Sequence, residues 1–314
     1  MLKETRNVQY PSIEYAGRLS RRVWTSVSRL FPEHLTARVN ALFKLIRPGR
    51  VMMVSLLTWV SANVAGVAPT DVWLITLGGM FLAMTGFAVD MYTDREADKQ
   101  GARAWPTNPI SAAMMGQAAA RRWIIFFVLA GISLCWATYP FTLVPATGLL
   151  ITYWGLAAGV FDGPIGRAVT LGLLQAWYVL LAAAATGTIT VLMMLVASVF
   201  LAAMFGARAA ADIRDLPSDA LTDTRNLAKV YGIRTASWIL PIAITIAAAI
   251  SLYIYSWGVF DRDYLIWTSL GFGLGLIMAW SFPFRPTPNY AFILGLPFWG
   301  TGILYMLALF LGSR

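Results

Sequence analysis

Asp90, Asp94 and Asp98 recur every four residues in AVDMYTDREADKQ, residues 88 to 100, at the end of a long apolar run. On a helix a step of four advances about 400°, so the three carboxylates share one stripe with a drift of roughly 40° per step. Like charges at that spacing repel by a few tenths of a kcal/mol on a bare helix, and by more where a membrane boundary limits their solvation. A cation lying in the stripe reverses the sign. Among the candidates Mg²⁺ fits best, because it takes one or two carboxylates and completes its shell with substrate phosphates. A second cluster, Asp212, Asp215, Asp219 and Asp223, begins about 120 residues later, and its last three members are again four apart. With Glu96, these two segments hold eight of the chain's 15 acidic residues. Either cluster alone is compatible with a solvated loop, since Arg95, Lys99, Arg103, Arg214, Arg225 and Lys229 are interspersed. Two clusters of matching spacing, each following an apolar run, point instead to a two-part clamp for metal and diphosphate, and to two related halves of the chain.

The elements that position these acids are membrane helices. Hydrophobic residues make up 58% of the chain, charged residues 12%, and the mean hydropathy is +0.65, far from the roughly one-quarter charged composition of soluble domains. Runs long enough to cross about 30 Å of hydrocarbon fall at residues 51–69, 71–89, 122–140, 142–161, 168–187, 189–210, 233–257, 264–283 and 289–311. The expectation is an all-α polytopic membrane protein of nine transmembrane helices. The runs are continuous and lack the alternation of an outer-membrane barrel. Nearly every Lys and Arg falls in or beside segments 1–50, 90–121, 162–167, 211–232 and 284–288, with Arg262 and Arg314 as the exceptions. That asymmetry places the N-terminus and both acidic segments on the cytoplasmic side.

Residues 1–43 show no signal-peptide pattern. They read as a basic amphipathic segment on the cytoplasmic membrane surface, ahead of a membrane domain at 44–314. The single cysteine, Cys135, lies in an apolar run, and the single histidine, His34, lies in the basic segment, so a disulfide framework and a Cys-based metal site are excluded. Bilayer topology accounts for the positive balance, and no nucleic-acid partner is expected.

Taken together, these segments resemble the UbiA superfamily of intramembrane prenyltransferases. The family's first motif, Asn-x-x-x-Asp-x-x-x-Asp, stands here as DMYTDREAD, Asp90 to Asp98. The second motif and its tail are similar to DIRDLPSDALTDTRNLAKVYG, Asp212 to Gly232, and LIRPGR, residues 45 to 50, looks like the Arg-Pro approach to the family's first membrane helix. The resemblance runs from about residue 40 to the C-terminus. It implies nine helices around a central cavity with a cytoplasmic cap, an isoprenyl diphosphate donor, and two Mg²⁺ ions, one served by Asp90, Asp94 and Asp98 and the other by Asp215 and Asp219. Asp212 is a further catalytic candidate.

Ionising an allylic diphosphate leaves a carbocation and a highly charged leaving group, so cations and metals clamp what develops in the transition state. Arg47, Lys99, Arg103, Arg225 and Lys229 are candidates for that clamp. Tyr92, Tyr153, Trp154, Trp177 and Tyr178 could present aromatic faces to a cation, although interfacial belts and helix packing also place such residues. Asn63 and Gln175 could orient an acceptor, or could simply bond between helices.

The chain departs from the family pattern where an acceptor would be read. Asp90 replaces the usual Asn, WPTNPIS (residues 105 to 111) lacks the usual Arg, and VFDGPIGRA (160 to 168) offers only Arg167. These departures favour a neutral aromatic acceptor over a carboxylate-bearing one. They also leave room for a membrane terpene cyclase that acts on the diphosphate alone. A transporter, the reading from another class, would carry charge near the helix centres, which are here almost free of it.

Overall fold

The computed structural model describes residues 33–100, 108–161, 163–219 and 225–313, and within them it is helical, with no strand. The helices are α1 (Glu33–Ile46), α2 (Pro48–Val64), α3 (Pro69–Thr93), α4 (Arg95–Gln100), α5 (Gln117–Thr138), α6 (Leu143–Ala157), α7 (Pro164–Ala184), α8 (Val191–Asp219), α9 (Leu227–Tyr231), α10 (Ile233–Ser256), α11 (Arg262–Ser281) and α12 (Pro288–Gly312). Short 3₁₀ turns join α5 to α6 and α11 to α12. Four of the long helices, α2, α3, α7 and α12, open on a proline. There the missing N–H costs nothing and the fixed φ already suits a helix.

Eight described helical segments are long and apolar enough to cross a membrane. The predicted first span, 51–69, is α2, whose 17 residues extend about 26 Å, slightly short of the hydrocarbon core. Consecutive long helices pack side by side, α2 on α3, α3 on α5 and α6, α6 on α7, α7 on α8, α8 on α10, α10 on α11 and α11 on α12, and α12 returns to α2. The result is a closed ring, braced across its middle by α2 on α7 and α8 on α12. Lipid supplies no hydrophobic drive between helices, so close backbone approach has to. Gly206 accordingly lies against Ala243 and Leu240, and Gly172 against Leu201. Exposed Trp73, Ile125, Ile151 and Ile277 face outward from the ring.

Of the basic N-terminal segment, residues 1–32 lie outside the described residues. Its last part is α1, which buries Ala41, Leu45 and Ile46 and packs against α3, while Phe43 and Leu35 stay exposed.

The acidic segments, which follow the predicted membrane spans, are largely helical. Asp90 lies on α3, Asp94 caps it, and Asp98 lies on α4. The backbone continues nearly unbroken, with Asp94 N–H donating to the Asp90 carbonyl and Asp98 N–H to that of Asp94. The span predicted at 189–210 belongs to α8, which runs on to Asp219. Its 29 residues measure about 43 Å, more than the hydrocarbon needs. Hydropathy marks where lipid ends, whereas the helix ends only where its backbone bonding does.

Candidate functional site

The alternating ring brings the start of α2 and the ends of α3 and α8 to one end of the molecule. Arg47, the residue between α1 and α2, has left-handed backbone (φ 51°, ψ 66°), a conformation few non-glycine residues adopt. It turns the chain so that its guanidinium meets Asp90, Nη1 to Oδ2 at 3.1 Å, and reaches the Met91 sulfur at 3.6 Å. On α8, Arg214 grips Asp215 with two parallel bonds, Nε to Oδ1 at 2.8 Å and Nη2 to Oδ2 at 3.0 Å. Arg50, in the first turn of α2, is within electrostatic reach of both pairs. Its electrostatic neighbours are Arg47, Asp90, Arg214 and Asp215. The two acidic motifs, about 125 residues apart in sequence, therefore share one charged basin with three arginines in it.

Three further acids have partners of their own. Asn108 donates from Nδ2 to Asp98 Oδ2 at 2.9 Å, and Asn226 donates from Nδ2 to Asp219 Oδ2 at 2.7 Å. Asp212 is only 1% exposed; its Oδ1 meets Arg208 Nε at 2.6 Å and its Oδ2 accepts the Leu227 N–H at 2.8 Å. That second bond ties the first turn of α9 to α8. Arg167, in the first turn of α7, is an electrostatic neighbour of Asp212.

Not every predicted site residue joins this basin by a direct contact. Lys99 pairs with Glu96 at 3.1 Å in an exposed setting, and Lys229 Nζ donates to the Asp219 carbonyl at 3.1 Å. Arg225 is exposed just ahead of α9, and Tyr92 lies under the Arg95 guanidinium, 4.4 Å from ring centre to Cζ. Arg103 and Asp223 lie outside the described residues. Asn63 bonds back to the Trp59 carbonyl at 2.8 Å; it is 13 residues beyond Arg50, hence about 20 Å along α2. Gln175 is half-buried on α7, three residues before Tyr178.

Tyr153 is the aromatic candidate packed against the helix that carries Asp90. Buried on α6, it bonds hydroxyl to hydroxyl with Tyr178 at 2.9 Å and is an electrostatic neighbour of Asp90. Its ring rests on Gly86 of α3, one turn before Asp90, so closely that a Cβ there would meet the ring at 2.0 Å. Gly86→Ala is therefore expected to cost at least about 3 kcal/mol, the upper part of the usual overpacking range. A drop in the thermal midpoint of the detergent-solubilised protein checks it; an unchanged midpoint would show that the ring has room to move.

The donor set at this end fits a hard divalent cation, being made of carboxylate oxygens from two helix ends. Among the described residues no three His, Cys, Asp or Glu side chains converge into a cage. Mg²⁺ does not require one, since one or two carboxylates plus water and phosphate oxygens complete its octahedron.

Sequence reasoning missed Arg50, Arg208 and the two asparagines as parts of this site. Arg50 had a signal, its place three residues after Arg47 in LIRPGR, but only packing reveals that it faces both motifs.

Solved structures with this architecture include one from work on the biosynthesis of digeranylgeranylglyceryl phosphate synthase in membranes, with TM-score 0.73 and 16% identity over 88% of this chain and 98% of that one. A UbiA homolog from Archaeoglobus fulgidus, bound to DMAPP and Mg²⁺, superposes with TM-score 0.65 and 16% identity over 87% of this chain and 98% of that one. The apo UbiA homolog from Aeropyrum pernix K1 gives 0.66 and 14% identity over 81% and 97%. At such identities these likenesses establish the fold. No curated protein matches the chain. The model of the UbiA prenyltransferase family matches residues 51–301, a stretch that contains Asp90, Asp215 and the described helices α3 to α11, and the chain belongs to that family.

Proposed function

We propose that the protein is a Mg²⁺-dependent intramembrane prenyltransferase that ionises an allylic isoprenyl diphosphate and transfers the prenyl group to a neutral aromatic acceptor. The observation that carries this reading is the shared basin, in which Arg50 interacts with both Asp90 and Asp215. The A. fulgidus homolog bound to DMAPP and Mg²⁺, and the same homolog bound to GPP and Mg²⁺, support the donor class and the metal. One ion would be held from the stripe of Asp90, Asp94 and Asp98 and the other from Asp215 and Asp219, each through one or two carboxylates.

The metal's contribution would be to neutralise charge that develops on the leaving diphosphate. The protein's own groups do the rest. Arg47, Arg50 and Arg214 present guanidinium groups suited to paired phosphate oxygens. In the free protein Arg47 and Arg214 are balanced by Asp90 and Asp215, which keeps a basin of like charges from repelling itself. Lys99, Arg103, Arg225 and Lys229 would add positive potential around it. The apolar interior would take the isoprenoid tail and exclude water from the carbocation. Tyr153 and Gln175 would orient an acceptor, with Tyr178 holding the Tyr153 hydroxyl. On this reading the acidic end faces the cytoplasm.

The test is to incubate purified protein with geranyl, farnesyl and geranylgeranyl diphosphates plus Mg²⁺, and to follow pyrophosphate release and products with and without aromatic acceptors. Mg²⁺-dependent release with a prenylated acceptor is expected. Release with a hydrocarbon product and no acceptor would identify a cyclase instead, and no release from any donor with folded protein would refute both.

A further inference from the structure

The two acidic motifs are closed by the same device. Asn108 is 3% exposed and Asn226 is 1% exposed, and each spends its whole carboxamide on its own motif. Asn108 Nδ2 donates to Asp98 Oδ2 at 2.9 Å and to the Met91 carbonyl at 2.7 Å, while its Oδ1 accepts the Ile110 N–H at 3.0 Å. Asn226 Nδ2 donates to Asp219 Oδ2 at 2.7 Å and, at 3.5 Å, faces the Asp212 carbonyl, while its Oδ1 accepts the Lys229 N–H at 2.7 Å. In both, one Asn on the returning chain fastens the later acid of its cluster, a carbonyl near the first acid, and an N–H two or three residues further on.

The choice of residue matters. A Lys or Arg at either position would fix the carboxylate equally well but would also discharge it and compete with a metal. A carboxamide orients the carboxylate and leaves its charge intact. Hydrogen bonds to ligating carboxylates are a general means of setting their direction before an ion arrives.

We propose that Asn108 and Asn226 are matched positioning residues that orient Asp98 and Asp219 for the two metal ions. This rests on the metal-dependent reading above, and it assigns a role to two residues outside the acids and cations themselves.

Serine separates orientation from support. Asn226→Ser keeps a side-chain acceptor suited to the start of α9, but its hydroxyl is too short to reach Asp219; Asn108→Ser does the same beside Asp98. Ser111→Ala is the control, because Ser111 Oγ donates to the Arg95 carbonyl at 2.5 Å and so fastens the same returning chain without touching an acid. Mn²⁺ binding to the purified full-length protein, with inorganic pyrophosphate present, is read by electron paramagnetic resonance alongside the metal-free thermal midpoint. Each Asn variant is expected to weaken Mn²⁺ binding about 10–100-fold, and Ser111→Ala to leave it unchanged whatever it does to the midpoint. Unchanged affinity in both Asn variants, or an equal loss in Ser111→Ala, overturns the proposal. If the wild-type protein binds no Mn²⁺ under these conditions, the metal-dependent reading fails first and takes the proposal with it.

Discussion

Asp215→Ala is expected to lower Mg²⁺-dependent pyrophosphate release by about 10²–10³-fold, the usual cost of deleting one electrostatic element that acts on charge developing in the transition state. The ion pair of Asp215 with Arg214 lies within α8. Asp98, Asp212 and Asp219 are bonded to Asn108, to the Leu227 N–H and to Asn226, so replacing them disturbs the chain as well as the site. The bidentate partner of Asp215 is its neighbour Arg214, whose side chain is 41% exposed. Left alone, that guanidinium still reaches water, and losing this pair should cost no more than about 1 kcal/mol, as for a surface pair. Asp90→Ala should cause a comparable loss of turnover from the other side of the basin. If both acids serve one step, the double variant falls little below either single one, because residues that act as a unit are strongly non-additive. Near-wild-type release from both single variants, measured at saturating donor and Mg²⁺, would remove the acids from the chemistry.

That test was legible in the sequence because it rests on spacing. A four-residue period survives almost any local detail, and the acid stripes at Asp90–Asp98 and Asp215–Asp219 emerged on helix ends as the period requires. Apolar run length was an equally robust signal for most of the helices, and it faltered only at α2, whose 17 residues sit at the limit of a span. What could not be read was anything decided between helices. Arg50 looks like one more basic residue near the membrane until the fold brings it within electrostatic reach of both Asp90 and Asp215. Tyr153 was one aromatic among several; the missing Cβ of Gly86, on another helix, singles it out. Asn63 and Gln175 carry the same kind of group in sequence, yet Asn63 spends its amide on its own helix. Asn108 and Asn226 were hidden for a different reason. An Asn in a polar segment has an ordinary explanation in turn and cap chemistry, and only the structure shows that the other half of each carboxamide is on an acid.

The second large effect concerns stability and falls on Asp212. Asp212→Ala removes the partner of Arg208, whose side chain is 20% exposed, and leaves the Leu227 N–H at the start of α9 without its acceptor. Breaking a buried ion pair from one side costs about 3–5 kcal/mol, mostly because the surviving charge is stranded. The residual exposure of Arg208 puts the expected loss near the lower figure. The second-motif acids share α8 and its tie to α9, so turnover should fall with stability. Arg208→Met in the same chain should return much of the lost stability, because an apolar side chain of similar length carries no charge to strand. It cannot restore the acceptor for Leu227, so α9 stays loosened and amide exchange at Leu227 and Ala228 remains faster than in the wild-type protein. Thermal midpoints of the two variants, together with exchange at those amides, separate the contributions. A double variant no more stable than Asp212→Ala would place the main energetic role of Asp212 in holding α9 rather than in neutralising Arg208.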